Sequence, residues 1–126
     1  MEHHANTLSP AQWEVMECLW QAKTLTGREA TEILEEKMGW NRSTTLTHLR
    51  RMEEKGIVGS RIEAATKIFY PRLPREEAVL QETESFLDRV YHGSISMLLS
   101  AMTKKQSLSQ SEIDALHALL DETEGK

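Results

Sequence analysis

Residues 40–56 read WNRSTTLTHLRRMEEKG, with three arginines, four hydroxyl side chains, one histidine and no acid before Glu53. Asn41 is a helix-capping residue type, because its side-chain oxygen can accept from a backbone N–H left unpaired in the first turn. Thr45 (through its methyl), Leu49 and Met52 then follow at i, i+4 and i+7, the spacing of one helical face. At about 100° per residue they fall within about 40° of one direction. Ser43, Thr47, Arg50 and Arg51 point broadly the opposite way, with Thr44 beside them and Leu46 and His48 on the flanks. Gly56 ends the helix. One face anchors; the other offers hydroxyls and guanidinium groups.

Working outward, Thr26-Gly27-Arg28-Glu29 is a capping box. It opens a helix carrying Ala30, Ile33, Leu34 and Met38, closed by Gly39. Ser9-Pro10-Ala11-Gln12 opens an earlier one, over about residues 10–22, with Trp13, Met16, Leu19 and Trp20 on a stripe that Val15 and Cys18 widen. The short turn before Asn41 makes the second and third helices cross steeply, as in a helix-turn-helix. Residues 57–71, IVGSRIEAATKIFYP, change texture to β-branched and aromatic side chains. They divide into strands 57–63 and 66–70 around Ala64-Ala65, a turn without the glycine or asparagine a tight hairpin favours. Pro71 and Pro74 end the hairpin. The expected fold is mainly α: a winged helix-turn-helix over residues 1–73 and a helical region over 74–126.

The helical region carries Val79, Phe86, Leu87 and Val90 on one stripe. Gly93-Ser94 interrupts it before Ile95, Leu98, Leu99 and Met102. Ser109-Gln110-Ser111-Glu112 is a third capping box, leading to Ile113, Leu116, Leu119 and Leu120. Three helices of this size do not easily enclose those stripes alone. The expected cover is the same segment of a second copy, in a two-fold dimer whose interface takes Val79, Phe86, Leu87, Val90, Ile95, Leu98, Leu99, Met102, Ile113, Leu116 and Leu120. The alternative is a tail folded back on its own winged helix.

The chain has 126 residues and a net charge of -5, unevenly placed. Residues 1–41 carry -4, residues 42–72 carry +4 and residues 73–126 carry -5. A basic segment in an acidic chain can still meet phosphates, which respond to the local field. No apolar run resembles a signal peptide or approaches the roughly 20 residues that span a bilayer, so the expected place is the cytoplasm, with no membrane partner. Cys18, the single cysteine, can form no disulfide within the chain, and its apolar setting points to burial rather than reactivity.

Catalytic signatures are missing: there is no P-loop, nucleophile elbow or HExxH. His48 has no second ligand at i+3 or i+4, His92 and His117 have no metal-ligand spacing, and Glu84, Asp88 and His92 read as a solvated face. His3-His4 falls in a stretch expected to be disordered. No enzyme activity, cofactor or metal is expected.

The mixture on the third helix suits duplex DNA. Arginine pairs with phosphate or guanine, hydroxyls meet base edges, and the major groove admits a helix. Ser43, Thr44 and Thr47, near the N-terminal end, are the expected base readers. Arg42, Arg50 and Arg51 are expected on phosphates. The competing class is a winged-helix module that binds a partner protein.

LSPAQWEVMECLW, WNRSTTLTHLRRMEEKG and IFYPRLPREEAVLQETESFLDRVYHGSISMLLSAM together resemble the penicillinase-repressor family, the BlaI/MecI/CopY group, from about Leu8 to Leu120. The resemblance implies a homodimer on palindromic operator DNA that represses genes for β-lactam resistance or copper handling. It also implies a backbone contact at the start of the second helix, here Thr26 and Arg28, and an inducing protease or another effector. Two departures bear on induction. The copper branch carries C-terminal Cys-x-Cys pairs, and this chain has no cysteine beyond Cys18, so metal sensing by that route is not expected. The penicillin-responsive branch is cut at an Asn–Phe bond, where Ala101-Met102 stands here. Family wings often carry Gly-Arg at the tip, where Ala64-Ala65 stands here, so the wing contacts that the resemblance implies fall instead to Arg61 and Lys67.

Overall fold

The computed structural model describes residues 7–105 and 108–124, so His3 and His4 lie outside the described residues. The chain divides into two compact units, Met1–Thr83 and Glu84–Lys126.

Three helices of the first unit begin where a side chain can accept from an orphan backbone N–H. α1 (Pro10–Ala22) starts at Ser9, whose Oγ accepts from Gln12 N while Gln12 Oε1 accepts from Ser9 N. α2 (Gly27–Met38) repeats the reciprocal pair with Thr26 and Glu29. In α3 (Arg42–Glu54), Asn41 Oδ1 accepts from Thr44 N at 2.8 Å. Each such cap stabilises its helix by about 1 kcal/mol. Gly39 and Gly56, at φ 73° and 84°, turn the chain out of α2 and α3 through left-handed backbone that costs a glycine nothing.

Thr45, Leu49 and Met52 are fully buried, so the anchoring face of α3 is the one its spacing indicates. Leu49 and Met52 pack with Met16, Leu19, Leu34, Val58 and Phe69 in one core. Burial of each large side chain contributes about 1.5–3 kcal/mol. Thr45 Oγ1 has no hydrogen-bond partner among the described residues; its place in the core rests on the methyl. Cys18 is buried too, and burial pushes its thiol pKa up. Lys37, brought close by α2, opposes that shift and is outweighed.

The wing consists of β2 (Val58–Glu63) and β3 (Thr66–Pro71), antiparallel, with Ala64 and Ala65 at the turn. A third strand, β1 (Leu25–Thr26), pairs with β3 so that the sheet order is β1-β3-β2. No local pattern in the sequence announces β1, which is two residues long. It places Leu25 opposite Phe69, and both are in the core.

Beyond the wing, α4 (Arg75–Tyr91) begins within the first unit. Trp20 donates from its indole Nε1 to the Leu73 carbonyl at 2.8 Å. Arg75 donates from Nε and Nη2 to the two carboxylate oxygens of Glu17, at 3.1 Å each. This paired grip holds the Glu17 carboxyl below its ordinary pKa. The start of α4 is thus tied to α1, and Ala78 joins the core.

The second unit holds the rest of α4, then α5 (Ile95–Lys104) and α6 (Gln110–Glu124). Gly93, at φ 83°, breaks the helix, and Ser94 caps α5 through Met97 N. Ser109 and Glu112 cap α6 reciprocally. Among the described residues of this unit Ser85 is the only buried side chain. Ile95, Leu119 and Leu120 are about 60% exposed.

Candidate nucleic-acid interface

The outer face of α3 is set by the burial of the inner one. Arg42, Ser43, Arg50 and Arg51 are exposed, and Thr44 and Thr47 are half-buried. Among the described residues no carboxylate pairs with Arg28, Arg42, Arg50 or Arg51. Four cations on and beside one helix-turn-helix therefore stand ready for phosphate without first giving up an ion pair.

Adjacent residues on a helix diverge by about 100°, and the two arginines at 50 and 51 use that divergence. Arg50 lines a cleft toward the wing with Gly27, Leu46, Glu53, Lys67 and Phe69. Arg51 lines a second groove with His48, Glu54, Lys55 and the start of α1. Cationic groups thus flank the helix on both sides, as the two backbones of a major groove require.

The flanks are held by packing. His48 stacks on Trp40, with ring centroids 4.8 Å apart and planes at 27°, so the tryptophan before the helix braces its side. Leu46 rests against α2: a Cβ on Gly27 would lie 3.2 Å from Leu46 Cδ2. A methyl at this position would ask the Leu46 side chain to give by a few tenths of an ångström. Thr26 is half-buried and Arg28 exposed at the N-terminal end of α2.

In the wing the two expected cations are both engaged. Arg61 pairs with Glu63 and lies over the Tyr70 ring at 5.4 Å. Lys67 Nζ is 3.4 Å from Glu53 Oε1 and 5.2 Å from the centre of the Phe69 ring. Both cations are about half exposed, so each keeps a side open to a phosphate while its carboxylate stays beside it. Glu53 also accepts from Ser60 Oγ. That hydrogen bond, with Lys67 beside it, holds its carboxyl below the ordinary range. Glu53 thus belongs to the site, a role that no motif in the sequence marks. Its signal is visible only in space, because Ser60 and Lys67 lie on different strands.

The structure brings Arg42, Ser43, Thr44, Thr47, Arg50 and Arg51 together on α3. No group of three or more His, Cys, Asp or Glu side chains among the described residues could hold a metal ion, and no described helix is long and apolar enough to cross a membrane.

The sequence matches the penicillinase repressor family over residues 8–122. The methicillin resistance regulatory protein MecI of Mammaliicoccus sciuri is 25% identical over 121 residues, which cover 96% of this chain and 98% of the relative. The penicillinase repressor of Bacillus licheniformis is 26% identical over 115 residues, covering 91% of this chain and 90% of the relative. Among solved structures, the DNA-binding domain of the repressor BlaI matches with a TM-score of 0.51 at 24% identity, covering 56% of this chain and 85% of that domain. That likeness identifies the fold as a winged helix.

Proposed function

The chain belongs to the penicillinase repressor family, a family of repressors rather than enzymes, and from that premise we propose that it is a sequence-specific DNA-binding repressor acting as a homodimer on a palindromic operator. The observation that carries this reading is the outer face of α3, where hydroxyls and guanidinium groups without a carboxylate partner among the described residues stand on a helix whose inner face is fully buried. Ser43, Thr44 and Thr47 read bases; Arg42, Arg50 and Arg51 hold phosphates. Thr26 and Arg28 add a backbone contact from the start of α2. Arg61 and Lys67 reach the flanking backbone from the wing.

The homodimer is supported by the second unit, which among its described residues buries no apolar side chain of its own. A helical unit with exposed stripes becomes stable when another surface covers them, and a second copy offers the matching surface. The interface draws on Val79, Phe86, Leu87 and Val90 of α4, Ile95, Leu98, Leu99 and Met102 of α5, and Ile113, Leu116 and Leu120 of α6. Two recognition helices held about 34 Å apart, or a multiple of it, then meet two half-sites of an inverted repeat. A repressor of this kind works in the cytoplasm, where the operator is. Release from the operator falls to a protease or another effector. The Ala101–Met102 bond lies within α5, so a protease would need that helix to open locally.

The test is retention on heparin at low salt followed by selection of bound sequences from random duplexes. An enriched inverted repeat is expected. Retention without any enriched palindrome would favour a protein-binding module.

A further inference from the structure

Glu53 stands in the last turn of α3, and the wing engages both oxygens of its carboxylate. Oε2 accepts from Ser60 Oγ on β2; Oε1 lies 3.4 Å from Lys67 Nζ on β3. Ser60 pairs across the ladder with Phe69, and Lys67 is two residues from Phe69 on the same strand. By strand alternation all three side chains share the hairpin face toward α3. Phe69 is buried there, and Lys67 crosses over its ring. One carboxylate on the third helix therefore grips one residue from each strand of the hairpin.

We infer that Glu53 is a positioning residue for DNA binding: it fixes the wing against the recognition helix and aims Lys67 along the cleft that Lys67 shares with Arg50. This rests on the DNA-binding reading above. An exposed ion pair adds little to global stability, so what the contact supplies is the local seating of the wing. The sign of its effect is diagnostic. A carboxylate beside phosphates repels them, and its removal alone tightens binding to any duplex. A positioning role predicts weaker binding instead.

The experiment compares wild-type protein with Glu53→Ala by amide hydrogen exchange in the free state and by hydroxyl-radical footprinting on a duplex selected by the wild type. Without DNA, exchange in β2 and β3 is expected to rise about tenfold in the variant while α1 and α2 keep their protection. Unchanged wing exchange overturns the inference whatever happens on DNA. On the duplex, about tenfold weaker binding is expected, with protection lost at the outer positions and kept under α3. Tighter binding overturns the inference while leaving the DNA reading intact. A wild-type protein that gives no footprint on any duplex overturns the DNA reading and this role with it. Should Glu53→Ala not fold, Glu53→Gln decides: it keeps an acceptor for Ser60 and loses the pair with Lys67. It is expected to weaken binding in the wild-type background and to change nothing further in Lys67→Met. An equal loss in both backgrounds overturns the role through Lys67.

Discussion

The Tyr70 ring lies over Gly59 so closely that a Cβ on Gly59 would be 2.4 Å from Tyr70 Cζ. The two residues are direct partners in the β2–β3 ladder, and the same ring carries Arg61 on its face at 5.4 Å. Glycine is thus what allows the tyrosine to lie flat and to support a cation expected on DNA.

Gly59→Ala is accordingly expected to force the ring away and to destabilise the first unit by about 1–3 kcal/mol, the usual cost of overpacking. Chemical denaturation would measure it. A variant as stable as wild type would show that the ring moves freely and that its place over Gly59 is not enforced.

The wing turn carries the opposite defect. Ala64 and Ala65 have φ values of 50° and 66°, left-handed backbone that strains an alanine and suits asparagine and glycine. Replacing the pair by Ala64→Asn and Ala65→Gly is expected to raise stability by about 1 kcal/mol, part of the relief being offset by glycine's greater freedom in the unfolded chain. A lower thermal midpoint would count against that conformation of the turn.

Glu17 and Glu53 both have depressed pKa values, through hydrogen bonds from Arg75 and Ser60 respectively. A carboxylate lowered in the folded state contributes stability that is complete above its unfolded value, about 4.3, and lost as pH falls through the folded one. Carboxyl carbon NMR titration is expected to place both midpoints below the usual glutamate range. A midpoint at or above that range for Glu17 would mean that its two contacts with Arg75 do not persist in solution.

Arg51 has no carboxylate partner among the described residues, so its removal forfeits a contact and restores nothing elsewhere. Arg51→Ala is expected to weaken binding to every duplex and to flatten the dependence of log affinity on log salt by about one unit. A gel-shift titration with an unchanged slope would remove Arg51 from the phosphate contacts.

The parts of this fold legible in the sequence are those written locally. Ser9, Thr26, Asn41, Ser94 and Ser109 cap helices through backbone N–H groups three residues away, so each start appears as a short motif. The faces of α3 follow from helical period alone. Contacts between distant segments carried no such mark. β1 is two residues long and exists because Leu25 meets Phe69, which no local pattern announces. The Lys37 ammonium near Cys18 comes from another helix. The Arg61–Glu63 pair could have been found, since residues two apart on a strand share a face; the grip of Glu53 on two strands could not. The tail stripes were readable as helical faces, since the spacing of Ile95, Leu98, Leu99 and Met102 is local.

The central claim is that the hydroxyl-bearing face of α3 reads bases and is presented twice. Selection of bound sequences from random duplexes with Thr47→Ala, set beside the wild-type selection, tests both halves at once. Base preference is expected to relax by about 1 kcal/mol or more at one position in each half-site, the two positions being related by the dyad of the repeat. An unchanged consensus, or a change in only one half of the repeat, would contradict it.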